Sequence, residues 1–152
     1  MSHEYFRVGV GLIVSNARGE VLAIERSDRP GALQLPQGGV EVGESAIDAA
    51  YRELREETGL LRRHVTLVAE FPAWLGYELP ERRRSRKTGR GQVHRWFSFR
   101  MKASDAAIRL EEGGEARSFR WMAWKDLVAT TVSFRRGVYQ LLADHAALHL
   151  GR

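Results

Sequence analysis

Cysteine is absent from the 152 residues, which excludes disulfides and thiolate metal sites and is compatible with a reducing compartment. No apolar run approaches the ~20 residues that a membrane-spanning helix needs. Met1-Ser2-His3-Glu4-Tyr5 has neither the basic nor the apolar region of a secretion signal. A cytoplasmic protein with no membrane partner is expected. Acidic residues are the minority among the charges: 24 Lys and Arg against 19 Asp and Glu leave a net charge of +5 and a pI near 10.1. That balance favours polyanionic partners and says nothing about fold. The rest of the composition is ordinary for a globular protein, with 43% hydrophobic and 28% charged residues. A chain of 152 residues suits one domain, 1–152, with a core of its own.

The most informative stretch is 38–60, where a glycine loop leads into a helix. Ser45 is placed to cap its N-terminus, with Asp48 three residues on in a variant of the capping box. Ala46, Ala49 and Ala50 favour the helix, Ile47, Tyr51 and Leu54 form its apolar stripe, and Gly59 sits where a left-handed C-terminal residue is usual. Glu53, Glu56 and Glu57 fall at i, i+3 and i+4 and project from one face. Unpaired carboxylates this close repel one another. A hard divalent cation reverses that sign, because it takes carboxylate oxygens together with substrate phosphates. The bland alternative is an acidic, solvated helix face.

Segment 38–60 resembles, position for position, the signature of the Nudix hydrolase superfamily. That pattern is Gly, five residues, Glu, seven residues, Arg-Glu, an aliphatic, any residue, Glu-Glu, any residue, Gly and an aliphatic. It is met by Gly38, Glu44, Arg52, Glu53, Leu54, Glu56, Glu57, Gly59 and Leu60. Four flanking segments are similar to the bacterial RNA 5′-pyrophosphohydrolase and dinucleoside polyphosphate hydrolase group. They are Leu35-Pro36-Gln37-Gly38-Gly39, the stretch from Trp74 to Pro80, Gly91-Gln92 with Trp96-Phe97, and the run from Val132 to Tyr139. Lysine is commoner than arginine at position 135 in that group. The opening also departs from the group's Tyr-Arg-Pro pattern, with Tyr5-Phe6-Arg7 and no proline.

The resemblance implies a divalent-metal-dependent pyrophosphohydrolase of a nucleoside-linked pyrophosphate bond. Its substrate would be an RNA 5′-triphosphate or diphosphate end, or a dinucleoside polyphosphate. Free nucleoside triphosphates or nucleotide sugars form the second reading, and a silent nucleotide- or RNA-binding module the third. Magnesium, or manganese, would be held by Glu53, Glu56, Glu57 and the carbonyl near Gly38, with Glu115 as a further acidic ligand, for which Glu111 and Glu112 are the alternatives. Arg52 is expected to orient Glu53 or Glu56 by a bidentate pair. Glu44 either pairs with an arginine or binds metal through water. Either Glu57 or Glu53 takes the proton of the attacking water. Arg7, Arg26 and Arg135 would contact phosphates, Tyr77 and Phe134 would stack on a base, and Gln37 completes the implied substrate set. The five histidines show no ligand spacing.

Elsewhere, residues 8–15 read as a buried strand, 16–19 as a turn and 21–25 as the returning strand of a hairpin. Residues 65–73 and 93–101 read as strands, separated by a polar loop over 78–91. Residues 108–110 and 118–124 are shorter candidates, and 132–142 fits a C-terminal helix packing through Val138, Leu141 and Leu142. Trp74, Trp96, Trp121 and Trp124 are expected in the core. Strands flanked by helices give an α/β domain with a mixed sheet, which the resemblance sharpens to a Nudix-type α/β/α sandwich. Between 82 and 90 lie six basic residues within nine. They read either as a phosphate-tracking loop for nucleic acid or as a solvated surface loop. The oligomeric state is not legible.

Overall fold

A computed structural model describes residues 4–150, so the Met1-Ser2-His3 part of the expected signal-free N-terminus lies outside the described residues. The chain runs β1 (Phe6–Ser15), β2 (Val21–Arg26), β3 (Leu33–Gln34), β4 (Gln37–Gly39), α1 (Ala46–Thr58), β5 (Val65–Glu70), β6 (Leu75–Glu78), β7 (Gly91–Met101), β8 (Ala116–Met122), α2 (Trp124–Thr130) and α3 (Ser133–His145). All eight strands join one mixed sheet. Its centre is the parallel pair β1 and β7, in register from Phe6 opposite Gly91 to Ser15 opposite Arg100. The remaining pairings are antiparallel. No helix among the described residues is long and apolar enough to cross a membrane.

Period-two alternation along β1 and β7 gives the sheet two buried faces. Val10, Leu12 and Val14, with Phe97 and Phe99, pack under Ala49, Ala50 and Leu54 of α1. On the other face Ile13 and Trp96 pack against Val138, Tyr139 and Leu142 of α3 and Leu127 of α2. The result is an α/β/α sandwich with a mixed sheet. Gly11 decides how closely the second face closes, because Trp96 occupies the space its side chain would fill: a Cβ there would meet Trp96 Cε3 at 2.2 Å. Tyr139 meets the same indole edge-on, with ring centroids 6.1 Å apart.

The expected start and end of α1 are present. Ser45 accepts the Asp48 N–H, and Gly59 closes the helix at φ 77° with its N–H on the Arg55 carbonyl. The Asp48 carboxylate bonds Arg62 instead of returning to the Ser45 backbone, so only half of the capping box forms. Several expectations need correction. Gly38 and Gly39 belong to a strand, because β4 pairs with Gly9, Val10 and Gly11 of β1. Residues 108–110 form no strand: the Ile108 and Arg109 N–H groups are taken by the Asp105 and Thr58 carbonyls. The 65–73 strand stops at Glu70, and β6 and α2 are additional elements. Leu141 points outward at 52% exposure, and Trp74 is 45% exposed rather than core.

Gly11→Ala will therefore destabilise the fold by about 1–3 kcal/mol, the usual cost of overpacking a filled core. Chemical denaturation monitored through tryptophan fluorescence measures it, and an unchanged midpoint would mean that Trp96 moves aside freely.

Candidate active site

The acidic face of α1 lies against β4, and the contact is made possible by a missing side chain. A Cβ on Gly38 would fall 1.9 Å from Glu53 Cδ and 2.0 Å from its Oε2. Glycine at 38 thus lets a carboxylate rest directly on the strand backbone. The strand is itself fixed from the opposite layer. Leu35 N–H donates to the Tyr139 hydroxyl at 2.9 Å, and the Pro36 carbonyl accepts from Leu12 N–H at 2.9 Å. Helix α3 thereby sets the position of a segment that meets α1.

Arg52 is the centre of the charged network. Its Nε and Nη2 donate to the two oxygens of Glu44 at 2.8 and 2.9 Å, Nη1 donates to Glu53 Oε1 at 2.8 Å and Glu56 Oε2 at 3.2 Å, and Nη2 also donates to the Gly39 carbonyl at 2.8 Å. The bidentate partner is Glu44, not Glu53 or Glu56 as the spacing suggested. Pairing with Arg52, together with the Glu41 N–H, holds the Glu44 carboxyl down at about 2. Of its two expected roles, Glu44 has the arginine pair. The same bonds hold the Arg52 guanidinium above its ordinary value.

Glu53 and Glu57 are buried, at 8% and 9% exposure, whereas Glu56 is exposed. Burial raises the Glu53 carboxyl, with the Arg52 bond opposing it. Glu57 is pushed up to about 8, first by burial and then by the nearby charge of Glu115, with which it shares a hydrogen bond. Glu115 comes from the loop before β8, and its backbone is tied to the 26–28 turn by Ser27 N–H on the Glu115 carbonyl at 2.8 Å.

A cleft of about 570 Å³ brings these groups together with the basic ones. Glu53, Glu56, Glu57, Glu111 and Glu115 line it together with Gly38 and Gly39. Arg7, Arg26, Gln37 and Lys87 also line it. Glu112 does not. Arg26 is already clasped, since Nε and Nη2 donate to the two oxygens of Asp28 at 2.8 Å each. This bond, with the charges of Glu115 and Glu57, raises its pKa. Tyr77, Phe134 and Arg135 do not line the cleft. Tyr77 is buried beneath it, donating to Gln92 Oε1 at 2.7 Å, while Gln37 Nε2 reaches the same oxygen at 3.0 Å. Phe134 packs on Tyr77 with centroids 5.4 Å apart, and the buried Arg135 lies 5.0 Å over the Phe134 ring.

Among the cleft residues with no role assigned from sequence are the polar side chains of Gln34, Gln92 and His94. His94 is 3% exposed and held down at about 3, by burial first and then by Arg135 and Arg7, so it is neutral. The signal was available, because Gln92 and His94 alternate with Trp96 on one face of β7, where an apolar pattern is expected.

Among the described residues no three carboxylate or histidine side chains are gathered as one ion-binding set. The like-charged groups stand apart, Glu53 and Glu56 on Arg52 and Glu57 on Glu115. The donors nevertheless fit a hard cation. All are oxygens, Gly38 leaves Glu53 against backbone, and Glu57 with Glu115 is a carboxylate pair that a cation can neutralise as a proton does.

The profile of the NUDIX domain matches residues 5–142 of this chain. The chain belongs to the Nudix family. It is similar to an RNA pyrophosphohydrolase of Rhodospirillum rubrum, 44% identical over 146 residues that cover 93% of this chain and 87% of that one. An RNA pyrophosphohydrolase of Shewanella oneidensis is 41% identical, covering 94% and 84%. Among solved structures the E. coli dihydroneopterin triphosphate pyrophosphohydrolase superposes with a TM-score of 0.74 at 24% identity, over 94% of this chain and 99% of its own. A C. elegans Ap4A hydrolase gives 0.71 at 20% identity, over 93% and 98%. The fold is therefore the Nudix sandwich and the enzyme a Nudix hydrolase, acting on pyrophosphate bonds. Nudix hydrolases are generally dependent on a divalent metal.

The Glu57 carboxyl titrates higher in the folded Nudix domain than its ordinary 4.5. Its proton therefore stabilises the fold fully below the unfolded pKa, and that stabilisation is lost as pH rises through about 8. With chelator present, Glu57→Gln will flatten the fall of Tm between pH 5 and 8.5 by more than about 3 °C relative to wild type. Identical slopes for the two proteins would mean that Glu57 is not the titrating group.

Proposed function

We propose that the enzyme hydrolyses a pyrophosphate linkage at the 5′-triphosphate or diphosphate end of RNA, or in a dinucleoside polyphosphate, using magnesium or manganese. The observation that carries this reading is a cleft lined both by an acidic group of side chains and by Arg7, Arg26 and Lys87. Such a lining would suit a cation and several phosphate oxygens at once. The substrate named for the relatives, RNA, supports the choice between polyphosphates. A cytoplasmic location agrees with the cysteine-free composition.

In this reading Glu53, Glu56, Glu57 and Glu115, with the Gly38 carbonyl, hold the cation. A cation held there would supply Lewis-acid stabilisation of phosphate charge and would acidify an attacking water. The protein's own groups do the rest. Arg52 fixes the rotamers of Glu53 and Glu56 through its fork, so the ligands are in place before substrate arrives. Arg7, Arg26 and Lys87 face the phosphate oxygens and offset their charge. Between the two candidate bases, Glu53 is bonded to Arg52 whereas Glu57 has no arginine bonded to it among the described residues, so we assign the water's proton to Glu57. Gln37, held by Gln92, contacts the nucleoside. Tyr77, Phe134 and Arg135 support that wall from behind.

Purified enzyme with magnesium will convert triphosphorylated RNA to the 5′-monophosphate with a higher kcat/KM than free nucleoside triphosphates or a nucleotide sugar. Glu57→Gln will lower kcat at least ~100-fold, the lower end of an acid–base contribution. Product analysis by chromatography reads both. A preference for a free nucleotide would reassign the substrate, and near-wild-type kcat in the variant would return the role of base to Glu53.

A further inference from the structure

The run 82–90 is an ordered loop rather than a solvated tail. Gly89 adopts φ +71° and its N–H bonds the Ser85 carbonyl at 2.7 Å; Thr88 Oγ1 donates to the Arg83 carbonyl at 3.1 Å and contacts Ser85 Oγ at 2.9 Å. Two of its six cations are used to pin it. Arg84 Nε donates to the Leu79 carbonyl at 2.9 Å, and Arg90 bonds Glu78 and Glu4 on the neighbouring strand and N-terminal segment. Arg83 lies over the Phe134 ring, with its guanidinium carbon 5.3 Å from the centroid. At its other end Lys87 and Thr88 line the cleft. The loop therefore reaches from the cleft to the start of α3. Arg82 and Arg86 are exposed on it and do not line the cleft.

That distribution of charge exceeds the needs of a small nucleotide. In the proposed function the terminal phosphates meet Arg7, Arg26 and Lys87, which line the cleft. Arg82 and Arg86 stand outside it, with Glu81 as the only acidic residue adjoining the run. A ligand that ends in the cleft does not reach them, whereas a chain that continues past its first nucleotides carries a phosphate at each step. The four phosphate-capable side chains of the loop, Arg82, Arg83, Arg86 and Lys87, are held on a pinned backbone, so little loop-ordering entropy is lost on binding.

We infer that the 82–90 loop is a second binding site, which grips the backbone phosphates of single-stranded RNA downstream of the end being cleaved. Arg82 and Arg86 supply the outer contacts and Lys87 joins them to the cleft. This inference rests on the proposed action at RNA ends. Its consequence is a length dependence: catalytic efficiency rises as the RNA grows from a dinucleotide until the chain spans the loop, while small substrates gain nothing.

The test compares wild type with the double variant Arg82→Gln/Arg86→Gln on triphosphorylated oligoribonucleotides of increasing length and on diadenosine tetraphosphate. Both side chains are exposed, so the fold is expected to be unaffected, and circular dichroism checks it. Diadenosine tetraphosphate turnover is expected to be the same in both proteins. On the long RNA, each lost phosphate contact removes about 0.7 from the slope of log kcat/KM against log salt, so between 50 and 200 mM salt wild type should fall roughly 7-fold further than the variant. The variant should also treat dinucleotide and long RNA alike. A length dependence and salt slope unchanged by the double substitution would overturn the loop site while leaving cleavage of RNA ends intact. Wild-type enzyme that hydrolyses diadenosine tetraphosphate but ignores every RNA end would overturn both.

Discussion

Two carboxylates buried on one turn of helix α1 set the terms for the rest of this structure. Taking an ionised carboxylate out of water costs several kcal/mol even after relaxation, and like charges on one face add to it. The protein meets that cost in two ways. Arg52 spreads one guanidinium over Glu44, Glu53, Glu56 and the Gly39 carbonyl, so four acceptors share a cation held in a fixed orientation. Glu57 lies beyond Arg52's reach and keeps a proton instead, at a pKa of about 8. The first solution fixes geometry permanently. The second leaves a group whose charge depends on what binds, which is the property expected of a site built around a divalent ion and a proton transfer.

The sandwich exists to hold that face against backbone. Three segments far apart in sequence must meet: β4 with Gly38, α1 with its glutamates, and the loop carrying Glu115. The segment entering β4 and the loop carrying Glu115 are each fixed by a bond from another segment. Tyr139 of α3 takes the Leu35 N–H ahead of β4, and Ser27 takes the Glu115 carbonyl. Because Gly11 admits Trp96 into the sheet face, α3 approaches closely enough for its tyrosine to reach Leu35. A packing detail on one side of the sheet is thus transmitted to the carboxylates on the other.

Local signals in the sequence were enough for α1, because its limits are written into Ser45 and Gly59 and its acidic face into the spacing of Glu53, Glu56 and Glu57. Elements that depend on distant partners were not legible. Strand β6 offers only one buried residue in four, Tyr77, and becomes a strand by pairing with Gly91 to His94 of β7. Helix α2 begins after Ala123 with no side-chain cap, so nothing announces it. Residues 108–110 alternate like a strand, yet their N–H groups are claimed by a short helical turn and by Thr58. The same divide runs through the site. The residues proposed to hold the metal, Glu115 apart, share one helix and one glycine strand and could be read in order. That Arg52 favours Glu44, that Asp28 clasps Arg26, and that Phe134 and Arg135 stand behind the cleft are facts of tertiary placement, with no signature in spacing.

The clasp on Arg26 bears on how the two charged sides of the cleft coexist. Left free, a guanidinium facing Glu57 and Glu115 would pair with them directly and fill the place of a cation. Asp28 engages both nitrogens of its fork, so Arg26 is held by its own turn while its positive charge still lies near the acidic pair. The same turn bonds the Glu115 backbone through Ser27. One short segment therefore positions a basic group and an acidic group at a fixed separation, which keeps them from collapsing into a salt bridge. In the proposed function every incoming phosphate would have to break an ion pair of that kind, whereas the Asp28 clasp leaves Arg26 Nη1 outside it for the substrate.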